Sequence, residues 1–171
     1  VLNLTKGLEV KNGNIITNTA NLKLINRIKN KLNRAILNKG YLKEVGKLTN
    51  AIDKIKDFQD NYYTKFGQNY NSKLFSALKQ QAVDGVIEGL AGQGLVQNVS
   101  NSIANVLRQS IISGANLSEM TQQLTSDLAS QDGGRLSRYA KTYATDAIGQ
   151  FAGEYNKEIA EDLGLVWFMY V

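Results

Sequence analysis

Asn116-Leu-Ser-Glu119, then Gly133-Gly134, then Arg135-Leu-Ser-Arg-Tyr-Ala-Lys-Thr-Tyr-Ala-Thr-Asp146 running on toward Gly164, decide how this chain is read. Asn116 with Glu119 three residues later is the Asn form of a helix N-terminal capping box. Leu117, Met120, Leu124 and Leu128 then give one apolar face at helical steps. Beyond the glycine pair, Leu136, Ala140, Tyr143, Ala147, Phe151 and Ile159 line a second, long helix that stops at Gly164. The last run, Leu165-Val-Trp-Phe-Met-Tyr-Val171, has no polar alternation and predicts a buried strand at the C-terminal end, completed by chain beyond it.

Upstream of that stretch the helical period continues. Val99, Ile103, Val106, Leu107 and Ile111 predict a helix over 97–113, ended by Ser113-Gly114. Leu74, Leu78, Val83, Val86, Ile87 and Leu90 predict another over 73–91. Between them, Gly89-Leu-Ala-Gly92-Gln-Gly94 has three glycines in six residues. A phosphate-cradling loop needs a Lys-Ser/Thr pair after the glycines and a strand before them, and neither is present. The glycines therefore read as a turn between helices. Residues 67–72 are polar and read as a loop.

Residues 41–66 form a near-heptad through Val45, Leu48, Ile52, Ile55, Tyr62 and Phe66, a spacing suited to packing on a partner helix. The aromatic end of this run, Tyr62-Tyr63 and Phe66, reads as core or interface, since no strand platform for base stacking accompanies it. Residues 20–38 form a helix with Ile25, Ile28, Leu32 and Ala35 on one face and Leu22 and Ile36 beside them, stopped near Gly40. Joined by a short Gly loop, the two predict an αα-hairpin arm. Ahead of them, Asn12-Gly13 between two short apolar runs predicts a small β-hairpin, because both turn residues accept positive φ.

Composition narrows the function classes. A length of 171 residues with 43% hydrophobic content allows one domain plus a helical arm and a real core. Proline is absent, where average usage of about 5% predicts roughly eight, and this fits long uninterrupted helices. Cysteine and histidine are absent too, which excludes disulfides, zinc sites of the usual kind, thiol nucleophiles and His-dependent triads within this sequence. No apolar stretch approaches the 18 residues of a membrane span, and Asn3, Thr5 and Lys6 interrupt any signal-peptide core. A start at Val1 and an end inside an apolar run suggest a piece of a longer gene product.

Charge is unevenly spread. Residues 1–66 hold 13 Lys/Arg against 5 Asp/Glu, a net of +8, and residues 67–171 hold 7 against 10, a net of −3. Lys23, Arg27, Lys31 and Arg34 recur at near-helical steps as a basic stripe. Either a solvated face or an electrostatic partner accounts for it. Arg135, Arg138 and Lys141 oppose the dipole at the start of the last helix, so Asp132, Asp127, another subunit or an anion would be their partner. Glu154, Glu158, Glu161 and Asp162, with Asp146 upstream, are the acidic candidates for metal or acid–base chemistry. Lys157, placed to pair with Glu154 or Glu161, makes them a solvated face instead. No serine or threonine sits in a nucleophile elbow with a base. No catalytic residue, metal site or cofactor is expected.

The order of these features over about 82–171 resembles the minor head (head-morphogenesis, Mu F-like) proteins of tailed phages. That family shows a Gly-rich helix turn, a helix, a Ser-Gly-x-Ser/Asn-Leu-x-Glu step, a short helix, then a long helix with an Ala-Arg-Thr/Asp-Glu/Gln core. Leu-Gly-Ile, an aromatic strand and a Trp follow. The step here is Ser113-Gly-Ala-Asn-Leu-Ser-Glu119, the core matches at Tyr143-Ala-Thr145-Asp146 or at Lys141-Thr142, and the ending matches at Asp162-Leu-Gly164-Leu165 and Trp167-Phe-Met-Tyr170. The sequence departs from the family at Thr145, where Arg is usual, and at Ala152 or Gly149, where Asn is usual. The polar Asp/Arg/Cys/His segment after the aromatic strand is not present.

The resemblance implies a virion structural protein at the portal vertex, multimeric, working with the portal protein and other virion proteins in capsid assembly and in DNA packaging or ejection. Its place would be the host cytoplasm during assembly and the capsid afterwards. Lys23, Arg27, Lys31 and Arg34 would then face packaged DNA or an acidic portal surface, and Lys141, Thr142, Thr145, Asp146, Gly164, Trp167 and Tyr170 hold the family-motif positions. The expected architecture is mainly α: a basic helical arm over 1–66, a helical body over 67–171 truncated at its C-terminal end, and short β elements near the N-terminus and at the C-terminal end. The alternatives are a helical nucleic-acid-binding module, or the non-catalytic leader of a longer toxin or enzyme.

Overall fold

The computed structural model describes residues 5–65, 72–129, 134–162 and Gly164. The aromatic run with Trp167 and Tyr170, together with Phe66, residues 67–71 of the loop expected over 67–72, and Asp132, lies outside the described residues, and Ser72 opens a helix instead. The chain is mainly α, as the periodicity predicts. A hairpin of β1 (Val10–Lys11) and β2 (Asn14–Ile15) precedes α1 (Thr19–Ile36), α2 (Lys39–Thr64), α3 (Ser72–Ala91), a short α4 (Gln93–Leu95), α5 (Asn101–Ser113), α6 (Leu117–Ala129) and α7 (Arg135–Asp162). One π-helical turn, Val96–Ser100, joins α4 to α5.

The hairpin forms where Asn12-Gly13 predicts it. Asn12 has φ 54° and Gly13 φ 81°, the two positive values of a type I′ turn, and Val10 pairs with Ile15. Two-residue strands are marginal alone, so the hairpin is tied to the body. Ile15 N donates to Ala115 O at 2.9 Å, Leu117 N to Gly13 O at 2.9 Å, and Thr17 Oγ1 to Ile111 O at 2.8 Å. The α5–α6 connection thus serves the hairpin as a neighbouring strand.

Ser113-Gly-Ala-Asn-Leu-Ser-Glu119 acquires a physical meaning here. Gly114 takes φ 63°, its N–H bonds Ile111 O, and Ala115 N bonds Ser110 O at 2.9 Å. Those two bonds close a Schellman stop on α5. Asn116 Oδ1 then accepts from Ser118 N at 2.9 Å and caps α6. A helix stop, a strand contact and a helix start share seven residues.

α1 and α2 follow one another across Leu37 and Asn38, but each packs mainly on body helices rather than on its neighbour. α1 lies on α5, and α2 lies on α3 and α7. Ile25, Ile28, Leu32 and Ile36 of α1 share a cluster with Leu8, Ile15, Leu95, Val99, Ile103, Leu107, Ile111, Met120 and Leu124. Leu22 and Ala35, expected on that face, are exposed, and Asn21 is fully buried in their stead. Asn21 accepts from Glu9 N at 2.8 Å and donates to Glu9 O at 3.0 Å and Ile16 O at 2.8 Å. Its amide bonds three backbone groups of the hairpin, one of which, Glu9 O, also accepts from Ile16 N at 2.9 Å, and this makes a buried polar side chain tolerable.

The heptad of α2 finds two partners within this chain rather than awaiting another one. Val45 and Ile52 are buried with Phe75, Val86 and Leu90 of α3 and Phe151, Tyr155 and Ile159 of α7. Gln59 takes the third buried heptad position and bonds Asn156 Oδ1 at 2.9 Å. The glycine run sets how closely α3 and α7 approach. A Cβ on Gly89 would stand 2.0 Å from Tyr143 Cζ, and one on Gly94 would stand 2.5 Å from Gly89 O. Tyr139 and Tyr143 use that room to bond Gly89 O at 2.7 Å and Gly85 O at 2.8 Å. Gly89-Leu-Ala-Gly92-Gln-Gly94 is thus a helix–helix turn and a packing surface.

Candidate nucleic-acid interface

The basic stripe is an exposed face. At 100° per residue, Lys23, Arg27, Lys31 and Arg34 span about 80° of the α1 surface. Their centre lies roughly 145° from that of the buried face carrying Ile25, Ile28, Leu32 and Ile36. All four cations are exposed. Among the described residues none of the four forms an ion pair; the pairs that do form are Lys47–Glu44, Lys56–Asp60, Lys79–Asp53 and Lys157–Glu161. Arg27 and Lys31 are like charges four residues apart, an arrangement that weakens an isolated helix by about 0.2–0.5 kcal/mol.

The orientation of this face is fixed from beneath. Asn18 caps α1 through Asn21 N at 2.7 Å, Asn21 locks its first turn to the hairpin, and Ser100 Oγ on the π-turn donates to Asn33 Oδ1. Lys29, on the flank away from the stripe, donates to Asn101 Oδ1 at 3.2 Å. Glu9, near the N-terminal end, is held by Asn18 Nδ2 at 2.6 Å. The arrangement can attract a polyanion along one helix.

The remaining sequence candidates are dispersed. Lys141, Thr142, Thr145 and Asp146 sit exposed on the outer side of α7, with Thr145 Oγ1 bonded to Lys141 O at 3.0 Å. Gly164 has φ 64° and its N–H bonds Glu161 O at 3.0 Å, the left-handed stop expected of it. Arg138 is exposed, whereas Arg135 is half-buried and its Nε has no hydrogen-bond partner among the described residues. Glu154, Glu161 and Asp162 are exposed, and Lys157 pairs with Glu161 at 3.7 Å, the i,i+4 choice. Among the described residues no group of acidic side chains is placed to hold a metal ion, and no helix is long and apolar enough to cross a membrane.

Two features are invisible in the sequence. Lys6 joins the basic face, because the turn Thr5–Leu8 brings it beside Arg27 and Lys31. Nothing in its local sequence marks it, as the juxtaposition is tertiary. Away from that face, Phe58 is 72% exposed and Tyr62 50% exposed, beside a groove of about 400 Å³ floored by Ile55, Gln59 and Asn156. Three tyrosines between the helices titrate high. Burial first, then the neighbouring phenol, raises Tyr41, Tyr63 and Tyr139 above their ordinary value. The chain matches no known protein-family profile, no curated protein and no solved structure.

Proposed function

We propose that this chain is a non-catalytic helical structural protein of a phage head, multimeric at the portal vertex, whose α1 face contacts packaged DNA. The observation that carries the DNA contact is the row Lys23, Arg27, Lys31 and Arg34, exposed and without ion pairs among the described residues on a firmly seated helix. Backbone contact of this kind reads phosphates rather than bases, needs no sequence code and weakens steeply with salt. The virion setting rests on the ordered resemblance of residues 82–171 to minor head proteins. The seven-residue step within that resemblance is also the junction that holds the hairpin against which α1 is seated.

Purified particles of the phage encoding this chain should contain it in a fixed ratio to the portal protein. Its stoichiometric absence would remove the virion role. A second reading, a nucleic-acid-binding module outside any virion, draws on the same cationic face. It predicts DNA binding with no affinity for a portal assembly, so a pull-down with portal rings separates the two.

A further inference from the structure

We propose that the cleft between the Thr5–Leu8 turn and α1 is a phosphate clamp in which Lys6, Arg27 and Lys31 hold one phosphate of a nucleic-acid strand. The turn is closed by Leu8 N donating to Thr5 O at 3.2 Å and requires Gly7 at φ 115°. Thr5 and Leu8 are both buried, so the exposed Lys6 between them is carried on an anchored tip rather than a free tail. The cleft has a volume of about 220 Å³, and its lining is Lys6, Gly7, Leu24, Arg27, Ile28 and Lys31.

Three cations on two separate elements converge on this one concavity, and no acidic side chain lines it among the described residues. Gathering like charges is unfavourable unless an anion neutralises them. The apolar floor of Leu24 and Ile28 lowers the local dielectric and strengthens any ion pair made there. Arg27 brings a planar fork suited to two phosphate oxygens, and the lysines bring point charges. Gly7 lets the turn adopt its positive φ and keeps the rim free of a side chain. The cleft has room for a phosphate group.

Resting on the basic-face reading, the clamp narrows that face to one site. The test uses the full chain with ¹⁵N label, inorganic phosphate as the first probe and a short DNA duplex as the second. Phosphate should shift the Lys6, Gly7 and Lys31 amides saturably, and DNA should displace it. Two charge-matched variants complete the test. Lys6→Ala/Lys31→Ala should lose about tenfold more DNA affinity than Lys23→Ala/Arg34→Ala, the scale of one charge-assisted hydrogen bond. Arg27→Lys, which keeps charge but loses the fork, should also weaken phosphate binding. Equal losses from the two pairs, with no saturable shift at Gly7, would overturn the clamp and leave the basic-face reading standing. Saturable phosphate binding without any DNA binding would overturn the nucleic-acid source and the basic-face reading together, leaving a site for a small phosphate compound.

Discussion

The cluster between α1, α5 and α6 is filled by aliphatic side chains, with no aromatic ring among its described buried members, whereas the cluster between α2, α3 and α7 is built on Phe75, Phe151 and Tyr155. Aliphatic chains need no directional partner, so α1 is held by one apolar face and fixed in azimuth by a buried amide, Asn21. Its opposite face is left free for cations. In the second cluster, rings and hydroxyls set the geometry. Phe75 and Tyr155 pack with ring centres 4.6 Å apart and planes tilted by 38°, and Tyr155 donates its hydroxyl to Asp60, itself paired with Lys56 at 2.5 Å. Glycines admit the tyrosines of α7 against α3. One region is a platform for a charged surface, and the other is a sutured three-helix body. Tyr41 and Tyr139 touch both clusters, so the two should melt together.

The greatest losses come from emptying either core. Phe151→Ala should cost about 3–5 kcal/mol and Leu107→Ala about 2–5 kcal/mol. Both should lower one shared denaturation transition. Two separable transitions in calorimetry would show that Tyr41 and Tyr139 do not couple the clusters.

Asn21→Leu comes next. It preserves bulk but strips the amide from Glu9 N and Ile16 O, at about 1–3 kcal/mol for each buried group left unpaired and less where water reaches them, while Glu9 O keeps its bond from Ile16 N. The Glu9 amide should lose its exchange protection. A neutral Asn21→Leu would mean that aliphatic packing alone seats α1.

The glycines of the second cluster draw the contrast on a smaller scale. Gly94→Ala forces a Cβ against the Gly89 backbone and should destabilise by about 1–3 kcal/mol. Gly149→Ala, where a Cβ meets nothing within 4 Å, should stabilise α7 by about 0.5–1 kcal/mol. Thermal melts with both signs as stated would separate packing glycines from incidental ones.

The weakest effect is at high pH. Tyr41, Tyr63 and Tyr139 have raised values in the fold, so the neutral phenols are favoured there. Their stabilisation is full below the unfolded value near 10 and is lost as pH rises through the higher folded values. Phenolate absorbance should show three tyrosines titrating late, with the melting temperature falling only above about pH 10. Unfolding that begins well below that pH would assign the loss to other groups.

Much of this fold was legible because its signals are local. The Asn12-Gly13 turn, the stops at Gly114 and Gly164, the Asn116 cap and the heptad of α2 are all spacings within a few turns of chain. The partners of those elements were not legible. The heptad of Val45 and Ile52 fits any apolar helix, and only the fold shows that α3 and α7 fill that place. Asn21 carries no local mark of burial, because the hairpin groups it bonds reach it only through tertiary folding. Leu22 reads as core, though the axis of α1 turns it outward. Of the candidate site, the stripe Lys23, Arg27, Lys31 and Arg34 follows from helical period, while Lys6 reaches it only through a turn of the preceding chain.

Whether α1 presents a polyanion-binding face is decided by the salt dependence of duplex DNA affinity. Lys23→Ala/Arg27→Ala/Lys31→Ala/Arg34→Ala should keep its helical content while the slope of log affinity against log salt falls by about 3–4, roughly 0.9 for each phosphate no longer neutralised. An unchanged slope and affinity in a folded quadruple variant would contradict the DNA-binding face and reduce the stripe to a solvated surface.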